Sequence, residues 1–190
     1  MRIQTRAALA LAALLAATAA PLAAQTPAPQ PPAHPLLIPV APARAEDVAS
    51  IDAIIGALYD VISGPVGQAR DWNRMRSLFV PGARLIPTAN RPGGAVGVRV
   101  MEVNDYIASS GAFLEQVGFT EREIARRTEE YGHIAHVFST YEGRMESDGT
   151  TIRGINSIQL LNDGTRWWVL SVYWEQESPQ TPLPAQYLPR

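Results

Sequence analysis

The most constraining part of this chain is its C-terminal third. Three runs, "HIAHVFSTYEGRME", "TTIRGINSIQLL" and "RWWVLSVYWEQE", are rich in β-branched and aromatic residues. The tripeptides "SDG" and "NDG" separate them, and both are strong hairpin signals. Long β-rich runs joined by turns this short must pair antiparallel, so a meander is expected here. Upstream, apolar residues recur at helical spacing. In "AEDVASIDAIIGALYDVISG", Ile51, Ile54, Ile55, Leu58, Tyr59 and Ile62 make one apolar stripe, with Glu46 and Asp47 at the N-terminal end, where the helix dipole favours them. A single long helix is expected, ended by Gly64-Pro65. "RDWNRMRSLFV" reads as a shorter helix with Asp71 as N-cap, stopped by Pro81-Gly82. "ARLIPTA" and "GAVGVRV" read as strands around "NRPGG", and "EVNDYIASSGAFLEQVG" as a third helix. Helices first and a meander afterwards give an α+β domain.

"FTEREIARRTEEY" is ambiguous. On propensity it is a helix, with Glu123 and Arg127 at the favourable i,i+4 spacing.

The ends of the chain have a different character. Arg2 and Arg6 precede the apolar run "AALALAALLAATAAPLAA", which closes in small residues before Gln25. This is the pattern of a secretory signal peptide over residues 1–24, with cleavage expected after Ala24 and no membrane span afterwards. Such a chain is expected to be periplasmic or secreted. Residues 25–45 carry seven prolines and read as an extended tether, with His34 a solvated residue within it. Residues 179–190, "PQTPLPAQYLPR", are a second proline-rich arm, leaving 46–178 as the compact unit. With no cysteine, the core has no disulfide to support it. Without Arg2 and Arg6, 14 arginines face 18 acidic side chains, and no basic run remains. Nucleic acid is therefore not an expected partner.

Two of the three histidines lie in "GHIAHVFSTYEG". In a strand, His133 and His136 point to opposite faces and cannot share a metal. No metal site and no cofactor are expected. His133, next to Gly132, reads as a solvated edge residue. His136 shares its face with Ile134, Phe138 and Thr140, which suggests partial burial. It is a candidate general base because histidine titrates near neutrality.

Three stretches resemble the nuclear transport factor 2-like superfamily: "DWNRMRSLFVPGARLIP", "HIAHVFSTYEG" and "RGINSIQLLNDGTRWWVLSVYW". The resemblance spans about Glu46 to Glu177. It implies a cone, in which a strongly bent antiparallel sheet wraps a long N-terminal helix with two further helices, and it assigns "FTEREIARRTEEY" to a strand. Members include ketosteroid isomerase, scytalone dehydratase and the SnoaL-like polyketide cyclases, besides domains with no catalysis, so fold alone does not give function. At the position matching the SnoaL-like aspartate this sequence has Asn156. The first-strand stretch "PGARLIPTA", where ketosteroid isomerase has its aspartate, holds no carboxylate. Both expected bases are thus absent.

The remaining polar set is Tyr59, His136 and Asn156, with Phe138 and Ile158 as apolar pocket neighbours. The primary expectation is an exported domain that binds a small apolar or carbonyl-containing molecule. The alternatives are a lyase or isomerase of the SnoaL-like type using His136 as base, with Asn156 and Tyr59 holding an oxyanion, and an envelope protein-interaction module. Both faces of "RWWVLSVYW" are apolar, so the outer one is expected to form a homodimer.

Overall fold

The computed structural model describes residues 42–91 and 93–189. The expected signal peptide, most of the expected tether and His34 lie outside the described residues.

The chain opens with α1 (Ala45–Val48) and α2 (Ile51–Asp60). The single long helix expected from the apolar stripe is divided here. Ser50 is extended, at φ −150° and ψ 169°, and its side chain accepts a hydrogen bond from the Ala53 amide at 3.1 Å. A serine that caps a new helix competes with continuation of the old one, which explains the break. The stripe survives it: Ile54, Ile55, Leu58 and Tyr59 are all buried, and each large aliphatic among them contributes about 1.5–3 kcal/mol.

The next helix, α3 (Trp72–Leu78), is capped by Asp71, whose carboxylate accepts from the Arg74 amide at 2.9 Å. Arg74 ties the three helices together. It reaches both carboxylate oxygens of Asp47 at 2.8 Å and also pairs with Asp60. That hydrogen-bonded guanidinium holds the Asp47 carboxyl below its ordinary range.

The chain passes directly from α3 into β1 (Phe79–Asn90), so the helix ends before the expected stop at Pro81-Gly82, which instead lies where the strand register shifts. Only Val96–Val98 of the expected second strand forms β2; it is an edge strand paired with three residues of β1. In α4 (Val103–Val117), the Asp105 carboxylate accepts from the Glu102 amide at 3.0 Å, completing a capping box.

Four long strands follow: β3 (Phe119–Tyr131), β4 (Ile134–Met145), β5 (Thr151–Asn162) and β6 (Trp167–Gln176). Helical propensity in β3 is overridden by pairing along its whole length with β4. The six strands form one curved sheet in the order β2-β1-β6-β5-β4-β3, antiparallel except for β1 with β6. Helices α2, α3 and α4 pack against its inner face, and α1 packs on α2.

Residues beyond β6 do not form a free arm. The segment 178–189 folds back over the outer face as a strap. Thr140 Oγ1 donates to the Tyr187 carbonyl at 2.7 Å, and the Tyr187 ring meets Phe138 edge-on at 5.0 Å. Leu170 and Tyr173 remain exposed on that outer face.

Candidate active site

The side-chain alternation of β4 decides which residues can meet. Ala135, Val137, Ser139 and Tyr141 are buried on the inner face, whereas His136 and Phe138 are half-buried on the outer one. The expected pocket set is thereby split. Tyr59, Asn156 and Ile158 lie inside; His136 and Phe138 do not join them. His136 hydrogen-bonds Ser157 Oγ at 3.0 Å and packs against Phe138 beneath the strap. Backbone amides beside this pair are engaged in the β4–β5 ladder, and its neighbours on the outer face are Arg127 and Glu129 of β3 and the strap residues Gln186 and Tyr187. Ile158 is fully buried between Val137 and Val172, a core residue rather than a cavity wall. His133 is exposed in the turn between β3 and β4.

A cavity of about 250 Å³ opens between the inner face of the sheet, α4 and the C-terminal end of α2. Its walls are mainly apolar. Leu58, Ile62 and Met75 come from the first helices and the turn after α2. Phe113 and Leu114 come from α4, and Leu85, Ile152, Val172 and Trp174 from the sheet. Two inner-face glycines shape the floor. A Cβ on Gly154 would collide with the Tyr141 hydroxyl and the Glu175 carbonyl, and one on Gly143 would stand 2.7 Å from the Phe119 ring. The aromatic rings thus lie flat on the sheet, and the space above them stays open.

Arg70 holds the mouth. This buried guanidinium donates to the carbonyls of Ile62, Gly64, Gln68 and Leu114, binding the turn after α2 to the end of α4. Burial without a bonded carboxylate pulls its pKa down.

The polar content of the cavity is small and specific. Glu121 projects into it from β3, beside Asn156 from β5, with Tyr59, Tyr106 and Tyr141 around them. Burial raises the Glu121 carboxyl from 4.5 to about 7, while the Asn156 amide acts in the opposite sense by favouring the charged form. The Tyr106 and Tyr141 hydroxyls are pushed up from 10, first by burial and then by the Glu121 charge, so both stay protonated donors. Among the described residues neither hydroxyl has a protein hydrogen-bond partner, which leaves both free to meet a ligand. Tyr59 is also raised by burial, but its hydroxyl is engaged by Ser139 and Asn156.

Glu121 corrects the expectation that the pocket lacks a carboxylate. Its segment is crowded with charged residues, so assigning it to a strand does not by itself single out Glu121. Once "FTEREI" is a strand, parity gives the signal: Phe119, Glu121 and Glu123 share a face, and Phe119 is buried.

No family model matches the sequence, and no curated protein matches it. Solved structures do. A Kribbella flavida protein aligns at 14% identity over 68% of this chain and 90% of its own, with a TM-score of 0.51. A Nostoc punctiforme protein with a cystatin-like fold aligns at 11% over 72% and 94%, with a TM-score of 0.50. At such identities the likeness concerns fold alone, and these two join the strand order and helix placement in fixing it. The fold is cystatin-like, as in the Nostoc punctiforme protein. An NTF2-like protein from Methylobacillus flagellatus also aligns, at 14% over 68% and 95%, with a TM-score of 0.44. In this chain the curved sheet carries the cavity's carboxylate on β3, with Asn156 on β5 as neighbour.

Proposed function

We propose that this domain binds a small, mainly apolar carbonyl compound in the inner cavity and moves a proton at the carbon next to the carbonyl, with Glu121 as the acid–base group. One observation carries this reading: a carboxyl whose pKa lies at about 7, facing an apolar cavity that also holds two tyrosine hydroxyls without a protein partner among the described residues. A group titrating near neutrality can both take and return a proton. As a carboxylate, Glu121 removes the α-proton; the C–H electron pair becomes the enolate π-bond, and the carbonyl oxygen takes up negative charge. Tyr141 or Tyr106 donates a hydrogen bond to that oxygen. Return of the proton from Glu121 to the same or a conjugated carbon completes exchange or isomerisation, with no other reactant. The cavity lies just below the usual range of about 300–1,000 Å³ for ligand pockets, which favours one- or two-ring ligands.

The test is α-proton exchange of 2-indanone and 2-tetralone in D2O, followed by NMR. The wild-type protein is expected to accelerate exchange, and Glu121→Gln to abolish the acceleration. Equal rates for the two proteins would overturn the assignment. A second reading, a carrier that holds its ligand without reaction, is favoured by the predominance of apolar wall. Native mass spectrometry of protein from an exporting host would support it by showing a retained molecule alongside no exchange. Export rests on the leader-like residues 1–24, and N-terminal sequencing should then begin at Gln25. The expected homodimer is proposed through the part of the outer face that the strap leaves open.

A further inference from the structure

A line of buried polar groups leads away from the cavity. Asn156 Nδ2 donates to Tyr59 Oη at 3.1 Å, Tyr59 Oη and Ser139 Oγ are 2.7 Å apart, and Ser139 Oγ donates to the Glu123 carboxylate. Ser139 is 0% exposed, Tyr59 5% and Asn156 7%, so water does not compete along this line. Glu123 closes it near the surface, paired with Arg126 at 3.0 Å, which in turn pairs with Asp52 at 2.7 Å.

The direction of this chain follows from donor and acceptor chemistry. An ionised carboxylate only accepts, so Ser139 must donate to Glu123. With its proton spent there, Ser139 accepts from Tyr59. Tyr59 can then only accept from its remaining neighbour, so Asn156 must present its NH2, not its carbonyl, to Tyr59. The amide orientation is thus set from Glu123, three hydrogen bonds away.

We propose that Glu123, through Ser139 and Tyr59, is a positioning residue that locks the Asn156 amide with its NH2 on the Tyr59 and Glu121 side and directs the Tyr59 proton away from the cavity. This makes Tyr59, the tyrosine first singled out as an oxyanion holder, a structural acceptor, and leaves that role to Tyr141 and Tyr106. Its catalytic meaning rests on the role proposed for Glu121; the chain itself does not.

Glu123→Gln keeps the shape but supplies a donor, so the direction is no longer enforced. In NMR of the labelled protein, hydrogen exchange of the Asn156 side-chain amide is expected to rise at least tenfold and its two N–H resonances to shift. Ser139→Ala, which interrupts the chain with little change in volume, should do the same. Arg126→Gln, which leaves the chain whole, should not. A folded Glu123→Gln or Ser139→Ala protein with unchanged Asn156 resonances and exchange would overturn the proposal, whatever the ketone assay shows.

Discussion

The Glu121 carboxyl makes a prediction about folding that needs no substrate. The perturbation is Glu121→Gln, nearly isosteric and uncharged. In the folded protein the carboxyl ionises at about 7, against an ordinary 4.5. Below about pH 4.5 both folded and unfolded chains hold the proton, and the stability associated with the neutral group is fully present. As pH rises toward 7 the unfolded chain releases its proton first, so stability falls until the folded chain has ionised too. A displacement of this size corresponds to about 3 kcal/mol, lowered to about 2–3 kcal/mol because solvent reaches part of the carboxyl. The assay is urea unfolding of both proteins between about pH 5 and about pH 8.5, with the difference between them plotted so that titrations common to both cancel. The variant should gain about 2–3 kcal/mol over the wild type across that range, most of it between pH 5 and 7. A difference flat to within about 0.5 kcal/mol would show that Glu121 is solvated like an ordinary glutamate, and the cavity would lose its acid–base group.

Gly154→Ala forces a methyl group against the Tyr141 hydroxyl and the Glu175 carbonyl. It is expected to cost about 3 kcal/mol in urea unfolding and to displace Tyr141 from the cavity, whereas a loss under about 0.5 kcal/mol would contradict the close approach. His136→Ala removes an outer-face side chain and should leave ketone exchange within about twofold of wild type; abolished exchange would return the chemistry to the outer face. Deleting residues 178–190 uncovers Phe138 and Thr140 beside exposed Leu170 and Tyr173. Sedimentation should show stronger self-association than for the full chain, and an unchanged or weaker one would mean the strap does not mask a sticky surface.

The legible parts of this fold were those written in short-range chemistry. β5 and β6 meet at Asn162-Asp163-Gly164, where Gly164 adopts φ 93°, and β4 and β5 at Ser147-Asp148-Gly149, where Gly149 adopts φ 71°. Both turns need a backbone that glycine supplies. Asp71 capped the helix it was expected to cap. The break before α2 was less visible, because Ser50 interrupts a stripe that continues in phase on either side. Tyr59 and Asn156, 97 residues apart in sequence, do converge. Large apolar neighbours in the sequence of β4 assign His136 and Phe138 to the inner face with them. That inference fails here because the strap makes the outer face apolar too. The inner face of β4 carries Ala135, Val137 and Ser139 before Tyr141, and the hydroxyl of Ser139 meets Tyr59 reaching across from α2.

The departure at position 156 gains a physical reason once Glu121 is located. An aspartate on β5 would put a second carboxylate beside that of Glu121, and two like charges in an apolar cavity do not both ionise readily near neutrality. An asparagine can support the Glu121 charge through its NH2, and a buried amide must be satisfied on its other side as well. Tyr59, Ser139 and Glu123 supply that satisfaction without adding charge to the cavity, because the only ionised member of the chain lies at its outer end, neutralised by Arg126. The carboxyl is thus left between two opposed influences: burial, which favours the neutral acid, and the Asn156 amide, which favours the carboxylate. Burial prevails by enough to bring the group to about 7. A carboxyl brought to about 7, rather than one at a particular strand position, is what proton transfer at carbon requires.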